Sequence, residues 1–194
     1  MLIVISKANQ AVMPWKNDGG ITREIIRCPA NSSLDNFEWR ISVATVSTAG
    51  RFSIFPGIDR SLALTEGGEL SISQDARHFT LTPEAPIFEF AGEEQVGSSL
   101  LAGPVTDFNV MTRRRLHTHT LHRFAFTGTL CVPHRGHTSA VYIVKGSPHF
   151  RQPKSGVVQL APGDAVLLTA PEQELTLDAT EAEIMVTNIF DVSN

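Results

Sequence analysis

The sequence predicts an all-β protein built from two similar units, and three observations carry that prediction. First, helical periodicity is scarce, and short apolar or alternating runs are interrupted by Pro, Gly, Asn and Asp about every ten residues. Second, Phe37–Val46 alternates between an apolar face and a more polar face, as a strand does. Third, the chain repeats itself weakly at a fixed spacing.

Each run between two turn signals is a candidate strand. In the first half of the chain these are Leu2–Ser6, Thr22–Arg27, Phe37–Val46, Ser61–Leu64, Leu70–Ser73, Phe79–Leu81, Pro86–Phe90 and Ser98–Ala102. In the second half they are Asp107–Thr112, Arg115–Thr120, Leu130–Val132, Ala140–Val144, Val157–Leu160, Asp164–Leu168, Glu174–Leu177 and Glu183–Ile189. Such density of short strands is typical of sandwiches and barrels.

The repeat joins a glycine turn to a later Leu-x-Pro sequence. Gly67 has a counterpart in Gly146, 79 residues later (146 − 67). The same spacing places Leu81–Pro83 on Leu160–Pro162, and Phe88 on Leu167. One supersecondary unit used twice predicts two similar β-sandwich units. We place them at residues 1–114 and 115–194, with pairing of the N-terminal strand across the two as an open alternative.

Composition excludes several classes of protein. A net charge of −4 and a pI near 6.0 leave no footprint for nucleic acid, and Arg113–Arg115 is interpreted as a solvated loop. No apolar run approaches the ~20 residues that span a bilayer. The start, Met1–Ala8, lacks a basic region before its apolar stretch and is predicted to be a strand. Two cysteines without a disulfide framework favour the cytoplasm.

The second copy of the repeat resembles the cupin signature. Its Y-I-V-K-G-S strand (Tyr142–Ser147) is followed by a P-G-D turn at Pro162–Asp164. The resemblance implies a small jelly-roll barrel, and two copies would make the chain a bicupin, with two jelly-roll β-barrels packed together.

Cupins usually hold a metal ion with His-x-His, a following Glu and a later His. In this chain the Glu position falls on Arg60 in the first copy and on Ser139 in the second. The two His positions fall on Ile54 and Pro56 in the first copy, and on Pro133 and Arg135 in the second. We therefore expect no metal ion and no other cofactor in that position.

A different set of histidines is the remaining candidate for a metal site: His117, His119, His122, His134 and His137. No carboxylate accompanies them at a fixed spacing, so exposed or hydrogen-bonded histidines are the favoured interpretation. Motifs for a nucleophile elbow, a dinucleotide-binding loop or a Walker loop are absent from the sequence. No catalytic residue is predicted.

Arg60 places a permanent cation where a cupin keeps a metal-binding carboxylate. A guanidinium there suits a small carboxylate ligand held by charge-assisted hydrogen bonds. The alternative is that Arg60 pairs with Asp59 or Glu66 and only fixes a turn. Polar residues also gather in Pro14–Gly20, in Trp39–Ser42 and in Asp107–Met111, the last being either an exposed edge or a pocket wall.

Four segments together resemble the HutD/Ves family of bacterial bicupins. They are P-W-K-N-D-G-G-I-T-R-E-I (Pro14–Ile25), F-E-W-R-I-S-V-A (Phe37–Ala44), R-F-S-I-F-P-G-I-D-R (Arg51–Arg60) and D-F-N-V-M-T-R-R (Asp107–Arg114). Asp18 departs from the glycine usual in the family. The specific motifs lie in the first 115 or so residues, and the remainder matches only as a degenerate cupin.

The resemblance implies a pocket in the N-terminal half that binds a small acid. HutD proteins are associated with histidine utilisation, with urocanate or formylglutamate as candidate ligands, whereas Ves proteins are linked to stress. The matching positions that the resemblance makes pocket residues are Lys16, Asn17, Thr22, Arg40, Ser42, Phe55, Asp59, Arg60 and Asn109.

The sequence thus favours a non-catalytic protein that binds a small carboxylate metabolite, with neither nucleic acid nor membrane as a partner. Two further hypotheses stay open. One is a cupin enzyme, an isomerase, epimerase or dioxygenase with an atypical site. The other is an interaction module, including a homodimer, that docks through its second barrel.

Overall fold

Antiparallel strands are the main elements of the computed structural model, which describes residues 1–15, 18–84, 86–152, 156–170 and 174–192. The strands are β1 (Leu2–Ile5), β2 (Ala11–Pro14), β3 (Gly20–Cys28), β4 (Trp39–Val46), β5 (Gly50–Arg51), β6 (Ile58–Glu66), β7 (Leu70–Gln74), β8 (Arg77–Leu81) and β9 (Phe88–Ala91). They continue as β10 (Val96–Leu100), β11 (Val105–Arg113), β12 (His117–Pro133), β13 (Thr138–Gly146), β14 (His149–Gln152), β15 (Gly156–Gln159), β16 (Ala165–Thr169) and β17 (Glu174–Asp191).

The helical content of these described residues is one 3-10 turn, Lys7–Asn9. The all-β prediction is confirmed. In the same part of the chain, no helix has the length and apolar character needed to traverse a membrane.

The chain divides into two units. One is residues 10–118, and the other combines residues 1–9 with residues 119–194. The change of unit thus lies four residues beyond the position predicted from the sequence. Residues 1–9 go with the later unit because β1 pairs with β16, Leu2 lying opposite Leu168. This pairing matches the alternative in which the N-terminal strand leaves its sequence neighbours.

The unit of residues 10–118 is a two-sheet sandwich. One sheet has six strands in the order β2-β3-β4-β11-β6-β9, and the other has four in the order β5-β10-β7-β8. Side chains from both sheets meet in one apolar cluster that includes Leu62, Leu64, Leu70, Ile72 and Phe88. Each such side chain contributes roughly 1.5–3 kcal/mol when it is fully buried.

The other unit is built on one seven-stranded sheet, β1-β16-β13-β17-β14-β15, with β12 also pairing with β17. Core residues from five of its strands, among them Val141, Phe150, Val166 and Ile184, belong to one cluster. A sheet whose separate strands bury their side chains in one cluster is curled around it, as in a jelly roll.

Two strands are longer than predicted. The predicted strands Arg115–Thr120 and Leu130–Val132 are parts of β12, and Glu174–Leu177 and Glu183–Ile189 are parts of β17. Gly128 interrupts the sequence pattern of β12, but its φ of 77° lets it stay within a strand as an irregularity. The polar middle of β17 stays in the sheet since its backbone pairs with neighbouring strands, which hydrophobic periodicity does not record.

The two glycines matched by the repeat, Gly67 and Gly146, adopt the same left-handed backbone conformation. Gly67 and Gly146 have φ values of 95° and 81°, a conformation that L side chains rarely adopt. A Cβ on Gly67 would lie 2.6 Å from the carbonyl oxygen of Pro104, and one on Gly146 would overlap that of Glu181. The match of Phe88 with Leu167 does not hold for side chains. Phe88 lies opposite Leu62 in the core, whereas Leu167 lies opposite Ala140 on the other face of its sheet.

We expect Gly67→Ala and Gly146→Ala each to lower the free energy of unfolding by more than the roughly 1–2 kcal/mol that a left-handed backbone costs a side chain. The added methyl group also collides with backbone atoms at both sites. Chemical denaturation measures the effect. Gly50→Ala is the matched control because a Cβ there meets nothing within 4 Å. Equal stability of all three variants would contradict the backbone strain and collision expected at Gly67 and Gly146.

Candidate ligand-binding cavity

Three adjacent strands bring the polar residues of the unit 10–118 onto one face. In the six-stranded sheet, β11 lies between β4 and β6. Met111 stands opposite both Arg40 and Arg60, so the two arginines flank it in one cross-strand row. Two residues along β11, Asn109 stands opposite Ser42. Because side chains on a strand alternate, all of these share the face that looks into the sandwich.

This face borders a cavity of about 480 Å³. Its polar lining includes Thr22, Arg40, Ser42, Arg60, Asp107 and Asn109. The aromatic lining comprises Trp15, Phe52 and Phe55. Trp15 is held in place by its indole Nε1, which donates to Thr22 Oγ1 at 2.8 Å. A largely apolar cavity with a few convergent polar groups is the usual form of a small-molecule site.

Arg60 is the most constrained charge in the cavity. Its side chain is 5% exposed, and its guanidinium carbon lies 4.7 Å from the ring centre of Phe90 and 5.3 Å from that of Phe52. Nη1 donates to the carbonyl oxygen of Ser53 at 3.2 Å, while Nε donates to no described residue. Burial lowers the pKa of Arg60 to about 10, against the opposing charge of Asp107, so the side chain stays cationic at neutral pH.

Arg40, the second cation, already has a carboxylate partner. Its Nε donates to Glu24 Oε2 at 2.7 Å, and both side chains are largely buried. A close, buried ion pair of this kind neutralises the charge and fixes both side chains. Among the described residues, Arg60 has no acidic side chain at ion-pair distance. Arg60 is therefore the buried cation available to an incoming anion, while Arg51 is an exposed arginine on the same lining.

Asp107 is a buried acid in the same cavity. It is 1% exposed, and its Oδ1 accepts no hydrogen bond from the described residues. Desolvation raises the pKa of Asp107 to about 7, although the positive charge of Arg60 opposes the rise. Asn109 Oδ1 likewise lacks a donor there. Beside the cavity, Arg60 Nε is thus a buried donor, and Asp107 Oδ1 and Asn109 Oδ1 are buried acceptors, without a hydrogen-bond partner among the described residues.

Asp59 lies apart from these residues. Its Oδ1 accepts from Arg114 Nε at 2.7 Å, and Arg114 also binds Glu93 at 2.9 Å. Asp59 is not among the described residues that border the cavity. The alternative in which Arg60 pairs with Asp59 or Glu66 is not observed among the described residues. Asp59 pairs with Arg114 at the surface, and Arg60 faces the cavity.

The structure brings together six of the nine residues predicted for the pocket: Thr22, Arg40, Ser42, Phe55, Arg60 and Asn109. Lys16 and Asn17 lie outside the described residues. The prediction missed Trp15, Phe52, Glu24 and Asp107. Of these, Asp107 had a sequence signal, since it alternates with Asn109 on one strand. Glu24 had none, because its pairing with Arg40 depends on which strands are neighbours.

The histidines are distributed among ordinary polar contacts. His117 Nε2 lies 3.2 Å from Glu38, His134 Nδ1 lies 2.7 Å from Ser139 Oγ, and the ring of His122 lies 6.3 Å from that of Phe124. Within the described ranges, no three His, Cys, Asp or Glu side chains are grouped to hold a metal ion.

Fold and cavity together define the class of protein: an all-β, cupin-like chain whose sandwich encloses a cavity with an available buried arginine. The HutD family model matches residues 7–186, which reach into both units. The chain belongs to the HutD family. The match extends well beyond the first 115 residues that carry the specific motifs.

Solved structures share the fold of this chain. A conserved protein of unknown function from Pseudomonas aeruginosa PAO1 is 28% identical, with a TM-score of 0.89 over 98% of this chain and 99% of that one. HutD from Pseudomonas fluorescens SBW25 shares the fold, with 24% identity and a TM-score of 0.83 over the full length of both chains. The bacterial pirin YhhW from Escherichia coli, in complex with nickel(II), shares it more distantly at 10% identity and a TM-score of 0.68, with 99% of each chain covered.

The raised pKa of Asp107 predicts a pH-dependent stability. The folded pKa of about 7 exceeds the ordinary value near 3.9, so the folded state binds this proton more tightly than the unfolded state. The resulting stability is present at low pH and is lost as the pH rises from about 4 to about 7. Asp107→Asn removes this loss. Its unfolding free energy relative to wild type should increase by a few kcal/mol over that range.

Denaturation at about pH 5 and about pH 8 measures this difference. Asp75→Asn is the control, because Asp75 is exposed and its φ of 51° is one that asparagine adopts readily. Parallel pH profiles for wild type and Asp107→Asn would contradict the prediction.

Proposed function

We propose that this chain is a non-catalytic binding protein for a small carboxylate metabolite, of the HutD type, with urocanate or formylglutamate as candidate ligands in histidine utilisation. The observation that carries the proposal is Arg60, a buried cation with an unused Nε and no acidic partner among the described residues. A guanidinium already removed from water gains most from an anion that replaces lost hydration.

The rest of the lining supports an acid that also bears an N–H or O–H donor. Asp107 Oδ1 and Asn109 Oδ1 are buried acceptors without donors in the described part of the chain. Phe52, Phe55 and Trp15 supply flat apolar walls. A volume of about 480 Å³ is in the ordinary range for small-molecule sites, and leaves room for an acid of metabolite size.

Titration calorimetry with urocanate, formylglutamate, glutamate and histidine tests the proposal. We expect at least one of these acids to bind wild type, and Arg60→Ala to weaken that binding by about 2–5 kcal/mol, because a desolvated ion pair is lost. Arg77→Ala is the matched control, since Arg77 is an exposed arginine on β8 away from the cavity. Binding of none of the acids, or equal binding by Arg60→Ala, would refute the proposal.

One observation favours a second candidate, a cupin enzyme that uses acid–base chemistry. Asp107 combines burial, a cavity position and a pKa near neutrality, which are properties of catalytic acids and bases. Incubation of each bound acid with the protein, followed by proton NMR, distinguishes the two functions. An unchanged ligand supports binding alone. Turnover that Asp107→Asn abolishes while binding persists supports the enzyme.

Three further properties belong to the proposal. Each unit is taken as one cupin barrel, which makes the chain a bicupin, because each ends a strand with an equivalent glycine turn. The cytoplasm is the compartment that keeps Cys28 and Cys131 reduced, and both are free thiols in the structure. A homodimer is testable by light scattering, and a stress role of the Ves kind by the genes that neighbour this one.

A further inference from the structure

The unit formed by residues 1–9 and 119–194 encloses a cavity of its own, of about 430 Å³. Its walls are mainly carbon, from Phe124, Leu130, Val132, Val186 and Phe190. Val132 and Val186 belong to the core cluster of the unit, so the cavity opens directly above packed apolar side chains. Thr120 and Asn188 are polar groups placed among these walls.

This cavity and the Arg60 cavity each lie beside a cross-strand pair that the glycine repeat relates. Gly67 and Gly146 end equivalent strands, and Arg60 and Ser139 each precede their glycine by seven residues (67 − 60 and 146 − 139). Arg60 stands opposite Met111, and Ser139 opposite Asn188. Both partners border their cavities.

The cross-strand row that contains Arg60 and the one that contains Ser139 differ in charge. In the first cavity, the row carries the guanidinium groups of Arg40 and Arg60. In the second, Ser139 and Asn188 are joined to Thr120 by hydrogen bonds, and all three side chains are neutral. No acidic residue is among the described residues that line this cavity, and its two basic residues, His122 and Arg135, are exposed. A buried charge would have no partner beside Asn188.

The hydrogen bonds in this row run in one direction. Ser139 Oγ donates its hydrogen to Asn188 Oδ1 at 2.7 Å. Ser139 Oγ therefore accepts from His134 Nδ1, also at 2.7 Å. Asn188 Nδ2 donates to Thr120 Oγ1 at 3.5 Å, which is long for a hydrogen bond and leaves that amide underused. Asn188 is 5% exposed. The row therefore ends in the amide N–H of Asn188 and the hydroxyl of Thr120, two donors at the cavity.

We propose that this cavity is a second small-molecule site, which takes an uncharged, largely apolar molecule bearing a carbonyl or amide oxygen. The oxygen accepts from Thr120 and Asn188, and the apolar part packs on Phe124 and Phe190. The two units then share one architecture and differ in the charge of the ligand they hold. This proposal does not depend on the ligand of the first cavity.

Cys131 provides a reporter, because its exposed thiol lines the second cavity. Its Sγ contacts Glu174 Oε2 at 3.1 Å, and this hydrogen bond raises the pKa of the thiol, so alkylation is followed at alkaline pH. Cys28, in the other unit, is the internal reference. Phenylacetamide is the uncharged probe, and phenylacetate is the same skeleton with a negative charge.

We expect phenylacetamide to slow alkylation of Cys131 saturably and to leave Cys28 unaffected, in both wild type and Arg60→Ala. Thr120→Val should weaken the protection roughly threefold to tenfold, since one hydrogen bond is lost. Thr127→Val is the matched control, because Thr127 is exposed on the same strand and does not line the cavity. Phe124→Ala, at a partly exposed position, should weaken it as well by removing apolar wall.

Melting temperatures establish that each variant is folded. Absence of protection by phenylacetamide would overturn the proposal. So would protection that phenylacetate matches, because the row would then not distinguish charge. Protection that disappears in Arg60→Ala would also overturn it, since the probe would be acting through the first cavity.

Discussion

The guanidinium of Arg60 is the constraint on which the sandwich of residues 10–118 depends. It is buried beside the rings of Phe52, Phe55 and Phe90, which attract a cation through their π faces. In the part of the chain that the structure describes, no acidic side chain forms an ion pair with this guanidinium. A buried polar group left in this condition is costly for folding, and a ligand that pairs with it recovers that cost.

The neighbours of Arg60 are arranged around the same constraint. Glu24 holds Arg40, so the two cations of the row remain distinct, one paired and one available. Asp107 lies close enough for its charge to be felt by Arg60, yet burial keeps its pKa near neutrality. The net charge of the cavity thus depends on whether this one carboxyl carries a proton. The charge of Arg60 and the proton on Asp107 are therefore coupled, by ordinary linkage between sites.

Much of this was accessible from the sequence. Alternation in β4 and β11 placed Arg40 with Ser42, and Asp107 with Asn109, on shared strand faces, and the resemblance to the HutD/Ves family made Arg40, Ser42, Arg60 and Asn109 pocket residues. The glycine repeat located equivalent turns because a positive φ strongly favours glycine at that position. What pattern could not supply was adjacency between strands. Adjacency between strands decides three features: the Glu24–Arg40 pair, the rings around Arg60 and the pairing of Asp59 with Arg114. The match of Phe88 with Leu167 failed for a related reason, because an error of one residue reverses the face of a strand.

The pairing of β1 with β16 has a consequence for the order in which the chain folds. During translation, residues 10–118 emerge after β1 but before its partner, and they contain both sheets of their sandwich. That sandwich can therefore fold while Leu2–Ile5 is still unpaired, because Ala165–Thr169 has not yet left the ribosome. The exposed side chains of Ile3 and Val4 make this waiting segment a short apolar strand with open edges. The interval between its synthesis and its pairing is when the nascent chain most needs protection from aggregation.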